Sequence, residues 1–157
     1  MRRKGIFVCF VCGLLGILGC ATKRMPEGEL ISVKYLIWGS VDGYEYEGVV
    51  RQDSTGVFVL KAMKESLGPL FEKRLDAKDM ARFRQIIEEE KMYQYKEEYT
   101  PLMKVYDGTQ WSFEAAFTDG TVICSQGTNA SPHGEGLSMI RSYMEELIQD
   151  SEQEIQE

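Results

Sequence analysis

The chain predicts an α+β fold: an antiparallel sheet of five to six strands with two helices packed on one face. Three observations lead there. Several short runs alternate apolar and polar residues, the period of a half-buried strand. Two longer stretches, one after Asp76 and one after Pro132, repeat apolar residues at intervals of three and four, the period of an amphipathic helix. The links between the first strands are too short for a parallel crossover, so these strands are expected to form a meander of hairpins.

Ile31, Val33, Tyr35 and Ile37 fall on one side of a first strand, which the stretch Gly39 to Gly43 breaks. Tyr44 to Arg51 alternates again, with Tyr44, Tyr46, Gly48 and Val50 opposite Glu45, Glu47, Val49 and Arg51. Asp53-Ser54-Thr55-Gly56 reads as a turn before the strand VFVLKAM, and after Gly68-Pro69 the run LFEKRL reads as a short fourth strand. Asp76 offers a helix N-cap with Asp79 three residues on, and Met80, Phe83, Ile86 and Ile87 mark the buried stripe of that helix. Tyr93, Tyr95 and Tyr99 lie in an irregular passage and are expected to cover the sheet edge. Trp111, Phe113, Ala115 and Phe117 then share one strand face, Asp119-Gly120 is a type I′ hairpin signal, and Thr121 to Gln126 returns beside it. Ser131-Pro132 fits an N-cap with proline at the first helical position, although Gly134 and Gly136 delay the start. Leu137, Ile140, Met144, Leu147 and Ile148 mark the second helix.

The candidate binding residues are Trp38, Asn129, His133 and Glu135. Three of them lie in SQGTNASPHGEG, residues 125–136, which holds the only histidine at a strand-to-helix junction. A glycine-rich backbone before a helix can hold an anion through its N–H groups. A phosphate loop, however, also needs a lysine followed by serine or threonine, and this stretch has none. Asn129 suits a turn with positive φ. His133 would need a nucleophile and an orienting acid to act as a base; no nucleophile-elbow motif surrounds Ser125, Ser131 or Glu135, so no catalytic residue is assigned. One histidine and one free cysteine do not supply the ligands zinc requires, and no metal or cofactor is expected. Trp38, beside Gly39, is the candidate for a stacking surface towards a sugar or peptide, against the alternative that it is buried. Glu45 and Glu47 read as a solvated strand face rather than a carboxylate pair, the DGT triplets at 107 and 119 as turns, and Cys124 within TVICS as a small buried residue.

The first residues bear on location. MRRK precedes an apolar segment from Gly5 to Gly19, the layout of a secretory signal and short for a spanning helix. Ile17-Leu18-Gly19-Cys20 resembles the lipobox of bacterial lipoproteins. The resemblance implies cleavage before Cys20, acylation of its thiol, and a chain held at the membrane through it. Cys9 and Cys12 then belong to the discarded segment and leave Cys124 as the only thiol of the soluble part. The expected organisation is a signal peptide over 1–19, a tether over 20–29, one α+β domain over 30–149 and a polar tail over 150–157. Loss of Arg2, Arg3 and Lys4 with the signal lowers the formal charge from −7 by the three cations to −10. Such an acidic body repels phosphate backbones, so no nucleic-acid partner is expected.

Asp107-Gly108, Trp111, Asp119-Gly120, Ser125, Gly127, Asn129 and Pro132 resemble a pattern in small proteins of gut bacteria of the Bacteroidales, a family that carries no activity to transfer. The lipobox resemblance implies a place in the cell envelope, on the outer or inner membrane. Ala21-Thr22-Lys23-Arg24 lacks the acidic export signal found after the acylated cysteine in that group, which leans towards the periplasmic side. The first expectation is a non-enzymatic module that binds an envelope protein or peptide. The alternatives are a small envelope enzyme or ligand-binding protein using residues 125–136, and a purely structural lipoprotein.

Overall fold

The computed structural model describes residues 23–39, 44–65, 68–103 and 108–154. Residues 1–19, Cys20 and Asp107 lie outside them, as does the end of the polar tail. The elements run β1 (Leu30–Trp38), β2 (Tyr44–Gln52), β3 (Phe58–Lys64), β4 (Leu70–Leu75), α1 (Ala77–Glu89), β5 (Glu98–Tyr99), β6 (Gln110–Phe117), β7 (Val122–Thr128) and α2 (Gly136–Glu154). One seven-stranded sheet results, in the order β4-β3-β2-β1-β6-β7-β5. The fold class is therefore α+β as expected, but the sheet has seven strands and is mixed. The extra member is β5, two residues that pair in parallel with Gln126 and Gly127 of β7. A two-residue strand is too short to produce an alternation, which is why the sequence does not announce it.

Topology follows from the connections. The first four strands form the expected meander from β1 outward to the β4 edge. From there α1 carries the chain back to the other edge, where β5 lies, and β6 then inserts beside β1 so that β1 and β6 are central. Val33, Tyr35 and Ile37 of β1 share the inner face with Tyr46, Gly48 and Val50 of β2 and with Trp111, Phe113, Ala115 and Phe117 of β6. A register shift between Leu30 and Ser32 turns Leu30 inward and leaves Ile31 exposed, which corrects the expected inner face of this strand. Both helices cover that face. Met144 of α2 sits over Gly48, where a Cβ would come within 2.4 Å of its sulfur. The Arg141 guanidinium lies 5.1 Å from the Tyr46 ring centre, and Arg84 of α1 lies 5.7 Å from that of Phe117.

Local chemistry sets the ends of these elements. Asp76 accepts from the N–H groups of Lys78 and Asp79 while the Asp79 carboxylate accepts from the Asp76 N–H, the reciprocal cap the sequence indicates. The Asp119-Gly120 hairpin differs from expectation. Only Gly120 has positive φ, and Phe117 exchanges bonds with Thr121 and Gly120, so the loop has three residues with a glycine bulge instead of a two-residue I′ turn. Asp53 to Val57 repeats the same arrangement around Gly56. Each aspartate stabilises its turn by accepting N–H groups two residues on, from Thr55 and Thr121 respectively. The second helix begins at Gly136, not at Pro132, and runs to Glu154, into the stretch expected as a polar tail. Polar residues do not oppose a helix once its apolar stripe is anchored.

Among the described residues the outer face of the sheet carries no helix. Its residues form cross-strand rows, one of which runs Cys124, Glu114, Lys34, Val49, Lys61 and Glu72. Lys61 and Glu72 close to 2.8 Å within it. Cys124 is thus exposed, against expectation, because Ile123 and Ser125 take the inward positions. Ser125 is tolerated there since its hydroxyl donates to the Lys96 carbonyl at 2.7 Å. Among the described residues no helix is long and apolar enough to cross a membrane.

The segment expected as a tether is packed from Lys23 onward. Pro26 is buried, and Met25 packs against the core. The Arg84 guanidinium donates to the carbonyls of Gly28 and Pro26, Gly28 N–H donates to Asp119 at 2.8 Å, and Lys23 Nζ donates to the Tyr95 carbonyl at 3.0 Å. Residues 23–29 read as loose in sequence because Pro26 and Gly28 give no period, yet their backbone groups find specific partners.

Phe83 is fully buried and meets the Tyr143 ring edge-on at 4.8 Å, joining the two helices. Phe83→Ala should therefore cost about 3–5 kcal/mol in urea unfolding, from lost burial plus the cavity left behind. Burial also raises the phenol pKa of Tyr35, Tyr46, Tyr95 and Tyr143, that of Tyr95 to about 12, with the Glu90 carboxylate adding to the shift. A raised phenol pKa favours the neutral form in the fold. This contribution is complete below pH 10, the ordinary value, and is lost as pH rises towards 12. The urea midpoint should fall over that range, and less steeply in Tyr95→Phe. That variant should be no less stable at pH 7, because the Tyr95 hydroxyl is buried without a partner.

Candidate functional site

The floor of the site comes from the two central strands. Ile37 and Trp111 are registered partners in β1 and β6, and Tyr35 lies one pleat further along β1. They form an apolar, largely aromatic surface at the end of the sheet beneath the start of α2. Leu137, Ser138 and Arg141, on one side of the first turns of α2, form the wall. Ser131, Pro132, Gly134 and Glu135 complete a rim, and the whole encloses a cleft of about 320 Å³.

Each wall is held by identifiable bonds. Trp111 Nε1 donates to the Ala130 carbonyl at 2.7 Å, which ties the connection between β7 and α2 back onto β6. Gly127 allows this, since a Cβ there would lie 2.6 Å from that indole nitrogen and 2.4 Å from the Ala130 carbonyl oxygen. Asn129 turns the chain at φ 49°, and its N–H donates to the Thr109 carbonyl at 2.9 Å. Gly136 permits the helix to start against Tyr95, whose hydroxyl would be 2.5 Å from an added Cβ. Glu135 is the N-terminal cap of α2: its carbonyl accepts from Met139 N–H at 2.8 Å, and its carboxylate accepts from the Ser138 hydroxyl at 2.8 Å. The Glu90 carboxylate, at the end of α1, accepts from Glu135 N–H at 3.0 Å. Two carboxylates therefore stand at the positive end of α2, where the dipole favours them.

Among the described residues Arg141 is the one cation lining the cleft. Its Nε donates to Glu145 at 2.9 Å and its guanidinium rests over Tyr46, which fixes the plane it presents. The Tyr46 hydroxyl is fully buried without a hydrogen-bond partner. Tyr35, on the floor, has its phenol pKa raised by burial, against an opposing pull from Arg141.

The four residues singled out from sequence take different places. Glu135 lies on the rim of this cleft. Asn129 shapes the loop behind the rim, with its side chain against the backbone of Gly108. His133 is exposed and does not line the cleft. Trp38 is half-buried at the end of β1, where with Trp111, Gln110 and Gln126 it borders a separate recess of about 90 Å³. The residues that make the floor and wall were legible only as core: Tyr35, Ile37 and Trp111 by alternation and Leu137 by helical spacing. Arg141 breaks the apolar stripe between Leu137, Ile140 and Met144, which is the one sequence signal that points to it.

Chemically the arrangement offers an aromatic floor for a flat or branched apolar group, with a guanidinium beside it for a carboxylate or carbonyl oxygen. Among the described residues no three of His, Cys, Asp and Glu gather to hold a metal ion. A larger hollow of about 860 Å³ runs between the docked N-terminal segment, the start of β3 and α1; Phe58 and Arg84 line it, but the Arg84 guanidinium is already committed to the carbonyls of Gly28 and Pro26. Comparison of the chain with family models, with curated proteins and with solved structures finds no match.

Trp111→Phe keeps the floor but orphans the Ala130 carbonyl. It should lower stability by about 1 kcal/mol and speed amide hydrogen exchange in residues 129–135 more than in β2 or β3.

Proposed function

We propose that the protein is a lipid-anchored component of a bacterial cell envelope, held through acylated Cys20 and facing the periplasm, that binds an envelope protein or peptide without chemical turnover. The observation that carries the binding part is the cleft between β1, β6 and the start of α2. Its size suits one apolar side chain, and Arg141 stands where a neighbouring carboxylate or carbonyl of an extended chain would fall. The anchor rests on the lipobox resemblance and on the apolar run that ends at Cys20. His133, the residue on which an enzymatic reading of residues 125–136 would lean, is exposed away from the cleft.

A random peptide library displayed on phage and panned on the immobilised mature protein tests this. The expected result is an enriched motif with one large apolar residue next to an acidic residue or a free C-terminus. Arg141→Gln should weaken its affinity about tenfold, the worth of one charge-assisted hydrogen bond. Ser131→Tyr, which fills the rim, should abolish binding. No enriched motif, or a motif whose binding survives both substitutions, overturns the reading.

A further inference from the structure

The place where the chain leaves the body constrains how the body sits. Residues 23–29 are fixed by Lys23 to the Tyr95 carbonyl, by Arg84 to Pro26 and Gly28, and by Asp119 to Gly28. If Cys20 carries the lipid, only Cys20, Ala21 and Thr22 separate the bilayer from the anchored Lys23. Three residues span at most about 11 Å even when fully extended. The exit point beside Tyr95 must then lie almost at the headgroups, on the β5 side of the sheet.

That side carries an unusual feature. Tyr95 leads directly into β5, which is clamped to β7 at Gln126 and Gly127, and the chain then turns out at Leu102 and Met103. Leu102 is fully exposed and Met103 is 79% exposed, more than any other large apolar side chain described. Seven residues from Tyr95 to Leu102 cover at most about 24 Å. Pro101 stiffens the approach, and Arg24 and Lys96 are exposed near the exit, suited to phosphate headgroups, beside the exposed carboxylates of Glu97 and Glu98 in the same stretch. Two adjacent bare apolar side chains at a loop tip cost solubility unless something apolar covers them.

From the short leash and this exposed pair together we infer that Leu102 and Met103, which follow β5, seat the protein on the membrane: they enter the interfacial region of the bilayer and fix the domain with its β5 edge down. The inference rests on the acylation of Cys20 proposed above. In this pose the α2 cleft, at the end of the central strands, lies beside the membrane surface, where a partner emerging from the same bilayer would meet it.

The test uses the full chain, expressed with its own signal, purified from membranes and reconstituted into vesicles of phosphatidylethanolamine and phosphatidylglycerol. In a Cys124→Ser background, Met103→Cys is labelled with an environment-sensitive fluorophore, and Leu70→Cys on the opposite β4 edge serves as the reference. Mass spectrometry of the N-terminus is read on the same sample. The expected result is a diacylated Cys20, a blue shift with several-fold brighter emission at 103, quenching of that emission by lipid nitroxides set near the headgroups, and water-like emission at 70. Acylated protein with water-like emission at 103, equal shifts at both positions, or a shift at 103 that lipid nitroxides do not quench overturns the seating by Leu102 and Met103 while leaving the anchor intact. An N-terminus without lipid removes both.

Discussion

One-sided burial of a single sheet governs this molecule. With both described helices on one face, the inward positions of the strands are the ones that must be filled from the apolar residues, most strictly in the central pair. In β1 and β6 the rule holds from Val33 to Ile37 and from Trp111 to Phe117. The exception at Leu30 is absorbed by a register shift that restores the inward direction of the strand end. A slip of one residue anywhere in this pair would carry Phe113 and Phe117 to water and bring Lys34 and Glu114 under the helices.

The same constraint explains what the sequence reveals. Alternation marks β1, β2 and β6 plainly, and the stripe of Met80, Phe83, Ile86 and Ile87 marks α1, because burial acts on many residues at once. Features fixed by a single bond leave no such trace. The β5 pairing involves two residues, the start of α2 depends on Glu90 reaching Glu135, and the packing of residues 23–29 depends on Arg84 and Asp119 finding backbone groups from far along the chain. The turn types are intermediate: aspartate and glycine identify both hairpins, but the bulged geometry follows from φ at Gly56 and Gly120 alone. Cys124 and Ser125 show a further limit, since a polar residue with one good acceptor takes an inward place that composition would assign to its neighbour.

The candidate site was partly visible for a related reason. A glycine-rich junction with a histidine stands out in sequence, and the junction does border the cleft, but the histidine does not. What gives the cleft its chemistry is the exposed remainder of core residues, chiefly Tyr35, Ile37 and Trp111, together with an arginine held by an aromatic ring and a glutamate. Residues that serve both the interior and a surface hollow read as interior in any periodicity argument.

The docking of residues 23–29 has a practical consequence. A truncation chosen by eye at the first strand, beginning near Leu30, would remove Met25 and Pro26 from the hydrophobic body, leave the Arg84 guanidinium without its two carbonyl partners and take the Gly28 N–H from the Asp119 carboxylate. Fragments for crystallisation or spectroscopy are better started at Ala21 or Thr22, and those cut at Leu30 would be expected to aggregate.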